Sequence, residues 1–289
     1  MDKPTGISSN AALQRVKRLY NAQKAGHTGS LDPLATGLLP ICFGQATKAC
    51  EYLLAADKRY VTQIKLGETT DTYDSEGSVL TSRPISFSDA ELQIALEQFR
   101  GEISQVPPMY SALKQNGQPL YKMARAGGTV ERQARQMTVY SLQANRLGND
   151  LIELEVHSSS GFYVRSLAFD LGEALGCGAH VVSLRRIAKQ DLKVDDALSL
   201  EQLESLAQSH KLEECLQSVE ILLQHLPTIT VSEAITQRLL NGLSVITQDL
   251  DAVDLTRIYR DDGYLFAIGE VDEQGGIKTH KIFVESGIY

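Results

Sequence analysis

A single carboxylate, Asp32, lies in a chain segment whose composition opposes a regular helix or strand. Residues 26–37 read GHTGSLDPLATG. The three glycines release the backbone from the usual limits on φ, and Pro33 directs Asp32 towards an extended conformation. An Asp-Pro pair is by itself most often a turn former. The segment alone is therefore compatible either with a plain turn or with a carboxylate presented for chemistry.

A glycine-rich loop can also cradle the phosphates of a nucleotide. That alternative requires Gly-Lys-Ser or Gly-Lys-Thr at the end of the loop, or Gly-x-Gly-x-x-Gly between a strand and a helix. Residues 26–37 contain neither pattern. We therefore do not expect a nucleotide-binding loop here.

The same twelve residues resemble the active-site loop of the pseudouridine synthases, and most closely that of the TruB type, the bacterial tRNA pseudouridine-55 synthases. Further motifs of that family follow in the expected order, so the resemblance covers nearly the whole chain. The matching blocks are residues 2–6, 8–10, 58–60, 66–72, 106–114, 161–165, 176–181 and 184–186.

The resemblance implies an isomerase that needs no cofactor and converts uridine 55 in the T loop of tRNA into pseudouridine. An enzyme that acts on a base must take it out of the stack, at a cost of a few kcal/mol. By this match Asp32 is the catalytic aspartate that helps to break the glycosidic bond. Whether it attacks the sugar, attacks the ring or removes a sugar proton stays open, and all three roles require the ionised form. An additional role in tRNA folding is compatible with the same resemblance.

The match also assigns a pocket around this carboxylate. Arg165 is the expected ion-pair partner, since a guanidinium within about 4–6 Å lowers the pKa of an Asp and orients it. Tyr60 is expected to stack on the extruded base, an interaction worth about 1–3 kcal/mol. Tyr163 is expected to hydrogen-bond near the pair, and Leu184 to form an apolar wall for the uracil. Without the match, Tyr60 and Leu184 would be read as core residues and Arg165 as a surface arginine.

Two further residues are assigned to RNA binding. His27 is expected to insert into the RNA loop where the base leaves. No second His or Cys stands at ligand spacing from it, so we expect no metal. Lys48 is expected to contact a phosphate or the protein near the site, although a solvated surface lysine explains it equally well. Candidates for positioning phosphates, which would affect affinity rather than sequence preference, are Lys58, Arg59, Arg185 and Arg186.

The charge of the chain is segregated, which bears on an RNA partner. The net formal charge is −8, yet residues 1–60 carry eight Lys or Arg against four acids, and residues 114–136 carry five against one. Residues 200–262 carry eleven acids against four bases. Salt screens the distant acids beyond about 8–10 Å, so basic patches can still bind phosphates locally. Solvated basic faces without a partner are the alternative.

Periodicity predicts the elements that position these residues. A helix is expected from Ser8 or Ser9 to about Tyr20, and a second helix from a capping box at residues 88–91. Alternation predicts strands at 60–66 and 151–157, and a helical pattern covers 164–175. Strands, helices and hairpins in this order favour an α+β fold. The resemblance narrows this to the pseudouridine synthase fold, a mixed, largely antiparallel sheet with the cleft across its middle.

Two regions depart from this pattern. Residues 107–136 are interrupted by Pro and Gly and carry basic and aromatic side chains, which predicts an irregular RNA-clasping insertion. After residue 226 a short helix (232–240) precedes strands near 255–260, 264–271 and 277–284, joined by hairpin turns. We therefore expect a catalytic domain at 1–226 and a small PUA-like RNA-binding β domain at 227–289.

Composition restricts the remaining classes. No apolar run approaches the roughly 20 residues of a membrane helix, and the polar start gives no signal peptide. The four cysteines lack Cys-x-x-Cys spacing, which favours reduced thiols and a cytoplasmic protein. We expect a monomer whose partner is the T stem-loop of tRNA. Two alternatives stay open: an RNA-binding module or tRNA chaperone without chemistry, and a related synthase that acts on another RNA.

Overall fold

A computed structural model describes residues 1–115, 117–128, 130–247 and 250–283. Strands account for most of its regular structure. They are β1 Asp2–Lys3, β2 Ala25–His27, β3 Thr36–Leu38, β4 Ile41–Phe43, β5 Lys58–Leu66, β6 Glu68–Thr70, β7 Val79–Ser82, β8 Gly101–Gln105, β9 Lys114–Gln115, β10 Gln118–Pro119, β11 Arg135–Arg146, β12 Leu151–Ser158, β13 Ala179–Lys189, β14 Leu192–Lys193, β15 Thr228–Val231, β16 Val245–Ile246, β17 Val253–Arg260, β18 Leu265–Val271 and β19 Gly276–Ile282.

The helices are short and mostly amphipathic. The α-helices are α1 Ser9–Leu19, α2 Cys50–Leu54, α3 Asp89–Glu97, α4 Leu120–Arg125, α5 Val164–Ala174, α6 Leu200–Gln208 and α7 Glu233–Leu240. Turns of 3₁₀ helix occupy Gly44–Ala49, Val194–Asp196, Leu212–Cys215 and Val219–Leu222.

The chain forms two compact units that do not follow its linear order. The first contains residues 1–9, 31–38 and 55–199. The second contains residues 10–30, 39–54 and 200–289. The boundary expected between residues 226 and 227 stays a prediction.

A mixed sheet with the order β1-β3-β13-β5-β12-β11-β8 organises the first unit, and β14 pairs with β13. All these pairings are antiparallel except that of β3 with β13. The predicted strand at 60–66 is confirmed as β5, in which Tyr60, Thr62 and Ile64 are buried. The predicted strand at 151–157 is confirmed as β12. The α+β class with a largely antiparallel sheet is therefore correct.

Helix α5 packs on this sheet and begins close to the site described below. Leu167, Ala168 and Leu171 on one of its faces are fully buried, in one cluster with Ile64 and Leu154 of the sheet. Burying a leucine side chain stabilises the fold by about 1.5–3 kcal/mol. This packing fixes the N-terminal turn of α5 against the strands.

Two local predictions had different outcomes. Ser88 and Glu91 form the predicted capping box at the start of α3. The first helix also begins where expected, but Ser9 does not act as a simple cap. Its hydroxyl group accepts a hydrogen bond from Leu31 N at 2.7 Å and donates one to Leu31 O at 2.9 Å. The side chain therefore fixes the segment next to Asp32.

The insertion at 107–136 is less irregular than expected. It contains the short hairpin of β9 and β10 and the helix α4, and its last residues already belong to β11. Two of its five basic residues, Lys114 and Arg125, have side chains outside the described part of the structure.

The second unit contains a five-stranded sheet with the order β15-β17-β18-β19-β16, which is formed by the C-terminal residues. The helix and three strands predicted there correspond to α7, β17, β18 and β19, although Val284 at the end of the last prediction lies outside the described residues. Ile258, Phe266 and Ile277 form its core. The assignment of this sheet as PUA-like stays a prediction.

Candidate active site

The loop that carries Asp32 is tied to the first residues of the chain. The Asp32 carbonyl oxygen accepts from Ala35 N at 3.1 Å, which closes the turn that an Asp-Pro pair favours. Gly6 N donates to Pro33 O at 2.8 Å. The turn and the chemical interpretation are thus compatible, because the turn holds the carboxylate in place.

A buried lysine supports the same loop. Lys3 Nζ donates to Pro4 O at 2.8 Å and to Ile7 O at 2.7 Å, and it lies 3.5 Å from Pro33 O. Burial lowers the pKa of Lys3 to about 8, and the nearby Asp32 carboxylate opposes this. Lys3 belongs to the matching block at residues 2–6, but the sequence assigned it no role. In the structure its ammonium group stabilises the loop through these backbone contacts.

Arg165, in the first turn of α5, pairs with Asp32 as predicted from the family motif. Arg165 Nη2 lies 2.9 Å from Asp32 Oδ2. The guanidinium also donates to Thr72 O at 3.0 Å and to Tyr110 O at 2.7 Å. The Arg165 side chain is only 6% exposed, whereas that of Asp32 is 43% exposed. A buried cation therefore presents a carboxylate that solvent, and a substrate, can reach.

A second acid, Asp74, contacts the guanidinium of Arg165 and was not expected from the sequence. Asp74 Oδ2 lies 3.3 Å from Arg165 Nη1, and the Asp74 side chain is 4% exposed. Asp74 Oδ1 accepts from Thr72 Oγ1 at 2.5 Å and from Glu76 N at 3.1 Å. No local pattern distinguished this residue from any loop aspartate. Its only signal was its position just beyond the motif at residues 66–72.

The environment of Asp32 changes its acidity. The surrounding protein shields the Asp32 carboxyl group partly from solvent, which raises its pKa above the ordinary value of 3.8, and Asp74 acts in the same direction. The charge of Arg165 and its hydrogen bond oppose this rise. The sequence-based expectation considered only the cation, so it missed the effects of desolvation and of the second acid.

Tyr60 and Leu184 lie on the core side of the sheet. Both belong to the hydrophobic cluster that also contains Leu31, next to Asp32. Burial raises the pKa of the Tyr60 hydroxyl, and a hydrogen bond from Arg186 opposes this. The Asp32 carboxylate also acts electrostatically on the Tyr60 hydroxyl, so Tyr60 lies near it, whereas a place for Leu184 in the same pocket stays a prediction.

Arg186 was expected among the phosphate contacts, and the structure corrects this. Its side chain is buried, and its Nε donates to Leu38 O at 2.7 Å. The register places Arg186 opposite Tyr60, so the pleat turns both side chains to the core face. Its neighbour Arg185 instead forms an ion pair with Asp2, with Nη2 to Oδ2 at 2.6 Å.

Tyr163 directly precedes α5, and burial raises the pKa of its hydroxyl. Its backbone is held from the end of β8. Gln105 Nε2 donates to Tyr163 O at 3.0 Å, and Tyr163 N donates to Gln105 Oε1 at 2.8 Å. The sequence analysis gave Gln105 no role.

The other two predicted site residues belong to the second unit. His27 is half-buried at the end of β2, where it pairs with Ile41 of β4. Lys48 Nζ donates to Ile282 O at 2.6 Å, a contact within the second unit. Their roles towards RNA stay predictions.

Among the described residues, no three or more His, Cys, Asp or Glu side chains converge to hold a metal ion. The expectation that neither metal nor cofactor takes part stays a prediction. Within the same residues, no helix has the length and apolar character needed to cross a membrane.

The comparisons with known families cover most of the first two hundred residues. Residues 17–164 match the model of the TruB family pseudouridylate synthase, N-terminal domain. Residues 165–224 match the model of the tRNA pseudouridylate synthase B C-terminal domain.

Individual relatives extend this similarity along the chain. Proteins named tRNA pseudouridine synthase B from Shewanella sp. (strain W3-18-1) and Stutzerimonas stutzeri (strain A1501) are each 47% identical, over 294 and 285 residues. The similar protein from Chromohalobacter salexigens is 49% identical over 285 residues. Each alignment covers 98% of this chain and 92–93% of the relative.

Solved structures share the fold. A crystal structure of a Cbf5-Nop10-Gar1 complex contains a chain that superimposes with a TM-score of 0.73 at 25% identity, over 98% of this chain and 83% of that one. A chain in an H/ACA RNP bound to a substrate RNA with 2′-deoxyuridine gives 0.74 at 22% identity, over 98% and 83%.

Proposed function

Because the chain belongs to the TruB family of pseudouridylate synthases, we propose that it converts uridine 55 in the T loop of tRNA into pseudouridine. The reaction is an isomerisation. The bond between N1 and C1′ breaks, a bond between C5 and C1′ forms, and the C5 proton is lost while N1 gains one. No atom is added, so the site has to hold, orient and deprotonate a single nucleotide.

The observation that carries the proposal is the pair formed by Asp32 and Arg165. Its 2.9 Å contact fixes one carboxylate oxygen, and the partial exposure of Asp32 leaves the other available to the substrate. A charge-assisted hydrogen bond of this length orients a carboxylate strongly. In this assignment Asp32 is the catalytic residue, and it acts in its ionised form.

The surrounding side chains support the handling of a flipped base. Tyr60 supplies an aromatic ring, Leu184 an apolar wall and Tyr163 a phenol near the carboxylate. An everted base loses its stacking partners, and an aromatic platform returns about 1–3 kcal/mol of that loss. His27 is assigned to insertion into the RNA loop where the base leaves, and Lys48 to a phosphate contact.

The proposal also includes the domain organisation, the location and the RNA partner of the protein. The catalytic domain is assigned to 1–226 and a PUA-like RNA-binding domain to 227–289. The protein is assigned to the cytoplasm as a monomer that uses neither metal nor cofactor. The names of the relatives, which specify a tRNA substrate, support the T stem-loop as partner.

The decisive experiment replaces the proposed catalytic residue. Asp32→Asn keeps the shape of the side chain and its contact with Arg165 but removes the charge. We expect no detectable pseudouridine at position 55 in a purified tRNA transcript, whereas the affinity for that transcript changes less than about threefold. An Asn variant that still modifies the transcript would refute the role of Asp32.

The same variant separates modification from assistance in tRNA folding. If the protein also aids folding, the inactive variant accelerates refolding of a misfolded transcript as well as the unmodified enzyme does. Mapping pseudouridine in the RNA of a deletion strain identifies the substrate. If the protein acts on another RNA, position 55 of tRNA remains modified in that strain.

A further inference from the structure

Gln105 is a buried amide at the boundary between the sheet and the RNA-clasping insertion. It is the last residue of β8, and the residue is 3% exposed. Both polar ends of the amide face the backbone of one residue, Tyr163. Gln105 Nε2 donates to Tyr163 O at 3.0 Å and Gln105 Oε1 accepts from Tyr163 N at 2.8 Å. The side chain thus pairs with this residue as a neighbouring strand would.

Tyr163 is the residue from which α5 begins. Its backbone is extended, with φ −113° and ψ 109°, and its own side chain makes no capping hydrogen bond. Its carbonyl oxygen also accepts the first helical bond, from Leu167 N at 3.1 Å. The two lone pairs of that oxygen are therefore shared between the helix and Gln105. The amide oxygen satisfies the N–H of this first residue, as the Glu or Gln of a capping box does.

Arg165 lies two residues further along, so the direction in which α5 leaves Tyr163 sets the position of its guanidinium. That group must reach four acceptors at once, on Asp32, Asp74, Thr72 and Tyr110. A displacement of about 1 Å at such a site can reduce a rate by about a hundredfold. The geometry of the proposed catalytic pair therefore depends on the backbone of Tyr163.

A second contact joins the same segments without involving Tyr163. Ser166 Oγ donates to Val106 O at 2.7 Å. This hydrogen bond links the residue after Gln105 to the first turn of α5, but it does not involve Tyr163. This offers a matched control within the same few residues.

We propose that Gln105 is a positioning residue for the synthase reaction: its amide clamps the backbone of Tyr163 and thereby holds Arg165 against Asp32. The proposal rests on the proposed function. It predicts that the donor and the acceptor of the amide are both needed, because either bond alone fixes only one atom of the Tyr163 backbone.

Three variants test the clamp. Gln105→Met keeps the length of the side chain and removes both hydrogen bonds. Gln105→Glu keeps the shape, and its protonated carboxyl group can donate to Tyr163 O while accepting from Tyr163 N. Once ionised, the Glu carboxylate can only accept hydrogen bonds, so one of its oxygens faces Tyr163 O and the two acceptors repel each other. Ser166→Ala removes the neighbouring contact and leaves Tyr163 untouched.

The measurements are the single-turnover rate of pseudouridine formation from pH 5.5 to 8.5 and the Kd for the tRNA transcript. Each variant's rate is divided by that of the unmodified enzyme at the same pH, which removes the titration of Asp32. We expect Gln105→Met to be about 10–100-fold slow at every pH. Burial raises the pKa of the introduced Glu, so its relative rate should be within about threefold of unity at pH 5.5 and fall at least tenfold by pH 8.5. Ser166→Ala should lose less than threefold, and Kd should change less than twofold throughout.

A folded Gln105→Met enzyme with the unmodified rate would overturn the proposal, and so would a Gln105→Glu enzyme whose relative rate stays within about threefold of unity up to pH 8.5. Amide hydrogen exchange at residues 163–166 needs no substrate and distinguishes the two levels of inference. If the unmodified enzyme forms no pseudouridine at position 55, the proposed function fails. The clamp is then supported by faster exchange in Gln105→Met and refuted by unchanged exchange.

Discussion

Replacement of Arg165 by methionine removes the one cation that the described structure places on both Asp32 and Asp74. The two acids should respond differently, because the Asp32 side chain is 43% exposed and that of Asp74 only 4%. Solvent can rehydrate Asp32, whereas Asp74 remains buried with its charge uncompensated. Breaking a buried ion pair by removing one partner costs about 3–5 kcal/mol. We therefore expect Arg165→Met to lose about that much stability, mostly through Asp74.

A double variant tests this attribution. Asp74→Asn removes the stranded charge, so Arg165→Met combined with Asp74→Asn should be more stable than the sum of the single effects predicts. Coupling of about 0.5–3 kcal/mol is usual for residues in contact. The free energy of unfolding is measured by denaturant titration of the four proteins. Additive effects would show that Asp74 does not depend on Arg165 and would refute this reasoning.

Activity should not recover with stability. Pseudouridine formation displaces the C5 hydrogen, so release of tritium from [5-³H]uridine in the transcript measures the reaction. We expect both proteins that carry Arg165→Met to be at least about a hundredfold slow, since Asp32 has lost the group that orients it. Recovery of the rate in the double variant would mean that Asp74, and not the pair of Arg165 with Asp32, limits the chemistry.

Two further outcomes are expected. The ionised form of Asp32 is required and its pKa is raised above 3.8, so kcat/KM should fall as the pH is lowered through that raised pKa; an acid limb at or below pH 3.8 would contradict this. Gly37 has φ +101°, and a Cβ there would lie 2.3 Å from Arg186 O, whereas Gly6 has φ +80° and open space around it. Gly37→Ala should therefore lose about 2–5 kcal/mol of unfolding free energy and Gly6→Ala about 1–2 kcal/mol; equal losses in urea titrations would refute the clash.

Features that depend on neighbours in sequence could be predicted from the sequence. The capping box of Ser88 and Glu91 joins residues three apart, and the alternation of β5 is a local pattern. The resemblance to the family predicted the ion pair of Asp32 with Arg165, two residues that lie 133 positions apart in the chain. Without that motif, no periodicity would have paired them.

Features that depend on pairing between distant segments were missed. Ser9, one of the two residues expected to cap α1, instead bonds through its hydroxyl group to Leu31. Arg186 has the right type for a phosphate contact, but the register of β13 on β5 turns it to the core. Asp74 and Gln105 carry no local signal, since their roles exist only once α5 begins beside them.

The parallel pairing of β3 with β13 has a consequence for biosynthesis. Thr36 aligns with Arg185, so the strand that follows the Asp32 loop can pair with β1 at once but cannot pair with β13 until 149 further residues have been translated. At about 5–20 residues per second, a nascent chain waits about 7–30 s with this edge of β3 unpaired. Closing so long a loop also slows folding itself. Translation speed and early chaperone contact should therefore influence the yield of native enzyme more strongly than in a protein built from consecutive hairpins.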